Sequence, residues 1–156
     1  MSPTLQEEIR QSRPFDSLQQ EVLLNLARTA AMLMHRMEQH FREFGLTGTQ
    51  YNVLRIVAGA GPDGISQCDI ASRLVAETPD VPRLLKRTET AGLIRRAADP
   101  DDKRVLSVRL TPQGARLLQE IAPRIAQLGE TLFPNLTKQQ LGTLNELLNA
   151  SREPAP

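Results

Sequence analysis

Residues Ser66 to Gly114 read SQCDIASRLVAETPDVPRLLKRTETAGLIRRAADPDDKRVLSVRLTPQG, and the fold turns on this stretch. It parses as a short helix, a turn, a second helix with a basic face, and an Arg-flanked hairpin. In the second helix Val81, Leu84 and Leu85, with Leu93 beyond its end, can face a core. Arg83, Lys86, Arg87 and Thr90 then fall on the other side, because residues three, four and seven apart share a helix face. Beyond Gly92, Leu93 to Ala97 make a strand and Asp99-Pro100 a turn. Leu106, Val108 and Leu110 then share one face of a second strand, with Val105, Ser107 and Arg109 on the other, as in a half-buried hairpin. A helix with one apolar and one cationic face, reached through a helix and tight turn and followed by a β wing, suits insertion into a DNA major groove.

The start of the second helix allows two registers. Thr78 can cap it with Pro79 at the first helical position, where a missing N–H costs nothing. Asp80 can cap it instead, with Pro82 inside the first turn.

Working outward, residues 1–15 are polar, carry Pro3 and Pro14, and read as a loosely held arm. Asp16 or Ser17 can cap a long helix reaching about Phe44, with Leu18, Val22, Leu26, Ala30, Leu33, Met37, Phe41 and Phe44 at helical spacing. At 1.5 Å per residue it is about 40 Å long, too long for one small domain to cover, so part of its stripe is expected to meet another chain. Thr47-Gly48-Thr49-Gln50 is a capping-box pattern opening a helix to about Ala58. The turn Gly59 to Gly64 leads to Ile65, a candidate third strand for the wing, and Ser66 with Asp69 starts the helix Gln67 to Leu74, with Ile70, Ala71 and Leu74 inward. Downstream, Thr111-Pro112 opens a helix bearing Leu117, Leu118, Ile121, Ile125, Leu128 and Leu132, in which Pro123 is expected to make a kink. Thr137 opens a last helix carrying Leu141, Leu144, Leu147 and Leu148.

The chain has 156 residues, 40% of them apolar, enough for one core without disulfides or metal. The single cysteine, Cys68, has no internal partner, and no signal-peptide run is present, which argues for a reducing, cytoplasmic setting. No apolar run approaches the roughly 18 residues of a membrane span. Net charge is only +1, but its distribution is uneven. Between residues 83 and 109 eight Lys/Arg stand against four acids, a local balance of +4 that leaves −3 on the rest of the chain. A basic footprint on a slightly acidic body fits a polyanionic partner. No Gly-rich phosphate loop, Ser/His/Asp set or carboxylate pair stands out, so catalysis has no candidate site and no cofactor or metal is implied. His35 and His40 are five apart, about 140° around the helix, and cannot readily share one metal.

In the order and spacing of LTGTQYNVLRIV (46–57), DIASRL (69–74), RLLKRTETAGLIRR (83–96) and DDKRVLSVRLTPQG (101–114), the chain resembles the MarR family of bacterial transcriptional regulators. The similarity runs from about Leu18 to Leu148. It implies a mainly α fold with a small β wing: a winged helix-turn-helix plus long N- and C-terminal dimerisation helices. One domain over 1–156 is expected, with dimerisation helices over about 16–44 and 111–150 and the DNA-binding module over about 47–110. The resemblance further implies a homodimer on an inverted-repeat, double-stranded DNA operator, read as a repressor, often with small-molecule or oxidant input.

The family's recognition helix falls on about Thr78 to Thr90, and its wing on Arg95 to Arg109. Its Asp-x-Arg wing motif falls on Asp102-Lys103-Arg104, implying that Arg104 enters the minor groove. Residues two apart on extended backbone point the same way, so the Asp102 carboxylate can aim the Arg104 guanidinium. Pro82 stands where relatives usually carry a small hydroxyl residue, and Lys86 and Thr88 replace positions commonly acidic and apolar, so sequence preference is expected to differ.

The candidate DNA-binding set is therefore Thr78, Asp80 and Pro82 at the helix start, Arg83, Lys86 and Arg87 on its basic face, and Lys103 and Arg104 on the wing. Arg95 joins it because Arg95 and Arg96 alternate in direction, so that just one of the pair faces phosphate. Arg can address guanine O6 and N7 bidentately. Ser66 and Gln67 can donate to a phosphate from a helix N-terminus, or Ser66 can serve as a local cap alone. His35, Arg36, Tyr51 and Arg55 are placed to line an effector cleft between the long helix and the winged module. Cys68 reads as an inert or partly buried thiol rather than an oxidant sensor. The rival reading is a winged-helix module that holds a protein partner and does not bind DNA.

Overall fold

The computed structural model describes residues 3–98 and 106–153. They form α1 (Leu5–Glu8), α2 (Leu18–Arg42), α3 (Gly48–Gly59), β1 (Ile65–Ser66), α4 (Gln67–Arg73), α5 (Val81–Thr90), β2 (Ile94–Ala98), β3 (Leu106–Leu110), α6 (Pro112–Leu132) and α7 (Lys138–Ala150). Two compact units result, Met1–Leu118 and Gln119–Pro156.

In the first unit, α3, α4 and α5 pack on one another and against a three-stranded antiparallel sheet of order β1-β3-β2. Ile94 pairs with Leu110 and Ala98 with Leu106, while Ile65 pairs with Val108 and supplies the expected third strand. The core is Val53, Leu54 and Val57 of α3, Ile70 of α4, Leu85 of α5, and Ile94 and Val108 of the sheet, all essentially without solvent contact. Thr88 is as deeply buried, and its hydroxyl donates to the Leu84 carbonyl at 2.9 Å, so the polar atom is satisfied within its own helix.

Most helix starts follow their caps. Ser17, Thr47, Ser66 and Thr137 each accept from the third-residue N–H, and Thr47 and Thr137 complete capping boxes with Gln50 and Gln140. Thr111 Oγ1 accepts from Gly114 N at 3.0 Å and donates to the Gly92 carbonyl at 2.6 Å, tying the start of α6 to the end of α5.

Three expectations change. The segment read as a loose arm contains α1, opened by a Thr4/Glu7 capping box; Glu8 pairs with Arg28 at 2.6 Å and Leu5 is buried. The hairpin does not alternate cleanly, since Leu106 is 46% exposed and Ser107 is buried. Ser107 is covered because the turn before β1 lies over it: Ser107 Oγ donates to the Asp63 carbonyl at 2.9 Å, and a side chain on Gly64 (φ +83°) would collide with Ser107 and Val108. Ala71 is exposed rather than inward, because the short α4 buries only Ile70 fully. As its length implies, α2 hardly buries its stripe within this chain. Only Phe41 is buried, while Leu18 (71%), Leu23 (65%), Met34 (52%) and Val22 (48%) face solvent.

In the second unit the helix runs on through Pro123, Ile121 is buried, and α7 leaves Leu147 64% exposed. No helix among the described residues is long and apolar enough to cross a membrane.

Candidate nucleic-acid interface

The start of α5 resolves between its two registers. Asp80 is the cap, with Pro82 in the first turn. A cap side chain accepts from the second or third helical N–H, and the second is Pro82, which has none. The Asp80 carboxylate therefore takes Arg83 N at 3.0 Å. Thr78 lies before the helix, its hydroxyl donating to the Ala76 carbonyl at 3.3 Å.

From that start the two faces separate as the spacing predicts. Val81, Leu84, Leu85 and Thr88 are buried, whereas Pro82, Arg83, Lys86, Arg87 and Thr90 are exposed. Among the described residues none of the three cations is in an ion pair. Each remains available to a phosphate or a base edge, and their position on just over one turn of helix gives a compact cationic ridge.

The turn leading to α5 is held from behind. Asn52 of α3 accepts from Val75 N at 2.9 Å, one residue past the C-cap of α4. Arg95 and Arg96 divide as expected: Arg95 is exposed, while Arg96 is turned back onto α5. Glu89 holds it, with Oε2 taking Arg96 Nη2 at 2.7 Å and Nε at 2.9 Å, and Oε1 taking Arg96 N at 2.9 Å. Those hydrogen bonds from the Arg96 side chain and backbone pull the Glu89 carboxyl below its usual range. Asp102, Lys103 and Arg104 lie outside the described residues.

Ser66 is engaged locally, accepting from Asp69 N at 3.1 Å and donating to Asp69 Oδ2 at 2.7 Å, while Gln67 opens α4 beside it. Cys68 is exposed. Of the residues placed at an effector cleft, Tyr51 and Arg55 meet, with Arg55 Nη1 donating to the Tyr51 hydroxyl at 3.2 Å. Tyr51 is buried and stacked on Phe41 at 4.5 Å, whereas His35 and Arg36 are exposed on α2. A separate open cleft of about 620 Å³ is lined by Glu38, Thr47, Thr49, Thr78, Pro79, Asp80, Arg83, Leu84 and Arg87, and none of those four residues borders it.

Sequence reading missed Glu38, Asn52 and Glu89 as structural ties. The T-G-T-Q pattern held a clue to the first, since the glycine at its second position leaves room for an acceptor from another helix. The other two join residues in different elements, for which spacing gives no signal.

Residues 44–105 match the sequence pattern of the MarR family. The chain is 35% identical over 104 residues to the multiple antibiotic resistance protein MarR of Salmonella typhimurium, covering 66% of this chain and 71% of that one. It is 28% identical over 123 residues to the HTH-type transcriptional repressor IacR of Pseudomonas putida, covering 79% and 72%. Among solved structures, a MarR transcription factor from Planctomyces limnophilus superposes with a TM-score of 0.67 at 35% identity, over 88% of this chain and 99% of that one. With the three-helix, three-stranded head described above, these likenesses establish that the chain belongs to the MarR family.

Proposed function

We propose that this protein is a cytoplasmic transcriptional regulator that binds a pseudo-palindromic operator as a homodimer and represses. The observation that carries the reading is the exposed triad Arg83, Lys86 and Arg87 on α5, in no ion pair among the described residues and backed by a buried opposite face. Asp80 and Pro82 shape the leading turn of that helix, with Thr78 just ahead of it. Arg95 serves a phosphate, and Lys103 and Arg104, the latter aimed by Asp102, serve the flanking minor groove. Ser66 and Gln67 approach a phosphate through the backbone at the start of α4, because the Ser66 hydroxyl is occupied. Two heads would read major grooves about 34 Å apart. The whole chain, 1–156, acts as one functional domain, and the exposed apolar residues of α2 and of α7 are each surfaces that a second copy would cover. Likeness to a transcriptional repressor supports the sign of regulation.

The cleft beside α5 suits a small effector better than the His35, Arg36, Tyr51 and Arg55 set, because Tyr51 is already stacked, and Arg83 and Arg87 line the cleft beside Glu38 and Asp80, whose carboxylates already accept backbone N–H groups. A ligand held by Arg83 and Arg87 would occupy the cations that phosphate needs, so it would bind the DNA-free form better, as a releasing ligand must.

The test is selection of bound duplexes from random DNA, followed by fluorescence anisotropy across a salt series. Affinity should fall steeply with salt, and Arg83→Ala or Arg87→Ala should each weaken binding and flatten the salt slope by about one if a phosphate contact is lost. Selection of no duplex, with a protein partner bound independently of salt, would favour the protein-interaction reading.

A further inference from the structure

Glu89 is the one acid on α5, and it stands on the helix meant to face a polyanion. A bare carboxylate there would repel phosphate. Its three hydrogen bonds to Arg96 neutralise it and join the end of α5 to β2. The sheet order makes β2 an edge strand, so N–H groups on its outer side lack a strand partner. Arg96 N is one of these, and the Glu89 carboxylate takes the place of the missing strand. Neighbouring residues on a strand face opposite ways, so fixing Arg96 against α5 fixes Arg95 outward. The base of the hairpin is held by other means, through β1 pairing with Ser107 and Val108, through Ile94 and Val108 in the core, and through the Asp63 carbonyl, which accepts from Ser107 and Arg109, so Glu89 acts on the outer part of β2, from Arg96 to Ala98.

We propose that Glu89 is a positioning residue for DNA reading: through Arg96 it sets the direction of the outer part of the β2–β3 hairpin relative to α5, so that the recognition helix and the hairpin meet neighbouring grooves together. This rests on the DNA-binding reading above. Glu89 touches no base or phosphate itself. A hydrogen-bonded carboxylate with both oxygens in use has a fixed direction, and beyond Arg96 the described part of the hairpin is held by the β2–β3 pairing, with Ala97, Ala98 and Leu106 exposed.

The experiment compares the full-length protein with Glu89→Gln and Glu89→Ala in two measurements. Residual dipolar couplings on the free protein report the orientation of β2 and β3 relative to α5. On the selected duplex, dimethyl sulfate protection reports the major groove and hydroxyl-radical protection reports the flanking sugars. Glu89→Ala is expected to rotate the couplings from Arg96 to Ala98 and at Leu106 while those of Ile94 and Val108 hold, and to lower affinity about tenfold, with flanking sugar protection lost and major-groove protection kept. Glu89→Gln, which keeps an acceptor for Arg96 N, should fall between. Couplings unchanged in both variants, or the two protections falling in equal proportion, would overturn the proposal. If the couplings rotate but the wild-type protein protects no duplex, the DNA reading is what fails, and the role of Glu89 in DNA reading goes with it. Should Glu89→Ala not fold, the Glu89→Gln couplings alone decide.

Discussion

Glu38 Oε2 on α2 accepts from Gly48 N at 2.7 Å, so the long helix caps the start of α3 from outside. Thr47 already serves Gln50 N, and Gln50 Oε1 serves Thr47 N, so Glu38 takes a further donor that the capping box leaves over. With Phe41 stacked on Tyr51 at 4.5 Å, this makes the α2–α3 joint stiff. Glu38→Ala should destabilise by about 1–2 kcal/mol, the cost of a part-buried donor losing a charged acceptor, and Glu38→Gln by less. Urea unfolding followed by circular dichroism checks it; an unchanged midpoint in Glu38→Ala would mean that water replaces the carboxylate at no cost.

Asn52 and Val75 are tied at 2.9 Å across the turn of the helix-turn-helix. That bond lies at the surface, so its loss should cost no more than about 1 kcal/mol of stability. Its effect on DNA should be larger in proportion, because the turn sets where α5 begins. Asn52→Ala is expected to lower operator affinity several-fold with little change in the unfolding midpoint, and Asn52→Asp, which keeps an acceptor, to restore most of it. Equal losses in both variants would point to the side chain's packing rather than its hydrogen bond.

Two glycines in helices should respond oppositely to alanine. A Cβ on Gly114 would collide with the Leu93 carbonyl, which is backbone and cannot step aside. Gly114→Ala should therefore cost about 2–3 kcal/mol by overpacking. A Cβ on Gly142 in α7 meets nothing within 4 Å, and Gly142→Ala should stabilise by about 0.5–1 kcal/mol through helix propensity. Thermal unfolding of the two variants gives both signs in one experiment.

These cases show which parts of the fold the residues announce by themselves. Caps at Ser17, Thr47, Ser66 and Thr137 are local, a side chain reaching a backbone group three residues on, so spacing finds them. The same rule hid in Thr4-Leu5-Gln6-Glu7, where flanking prolines suggested a loose arm over a real capping box. The two-faced α5 was legible because three exposed cations and three buried aliphatics follow one period. Its exact start was not, since Thr78 and Asp80 are both good caps, and only the missing N–H of Pro82 separates them in the folded chain. Burial of Ser107 in place of Leu106 depends on where the Asp63–Gly64 turn lies, and the Glu89–Arg96 tie depends on a turn closing between helix and strand. Neither has a period to read.

The lowered Glu89 carboxyl makes a signed pH prediction. Its folded value lies below the ordinary 4.5, so the folded state binds the proton less readily than the unfolded chain does. The stabilisation is therefore fully present above the unfolded value and is lost as pH falls through the folded one. Urea midpoints of wild type and Glu89→Gln should differ at pH 7 and converge towards pH 3. With the Arg96 side chain 21% and the Glu89 side chain 34% exposed, solvent still screens the pair and the gap should be small. A gap that widened on acidification would assign the shift to another group.

The apolar residues that α2 shows to solvent predict an assembly state. Val22, Leu23 and Leu26 are 48%, 65% and 38% exposed, on a helix of 25 residues that buries only Phe41. Monomeric proteins seldom leave so continuous an apolar surface uncovered, and a second copy in two-fold symmetry is the ordinary way to cover one. Leu23→Asp would put a charge where that contact forms, at little cost to a lone chain, because the site is already wet. Sedimentation velocity should show dimer for the wild type and monomer for the variant at micromolar concentration. Operator affinity should drop with it, because the second head no longer binds as part of the same molecule. A variant that stays dimeric and keeps its operator affinity would place the subunit contact elsewhere on the chain.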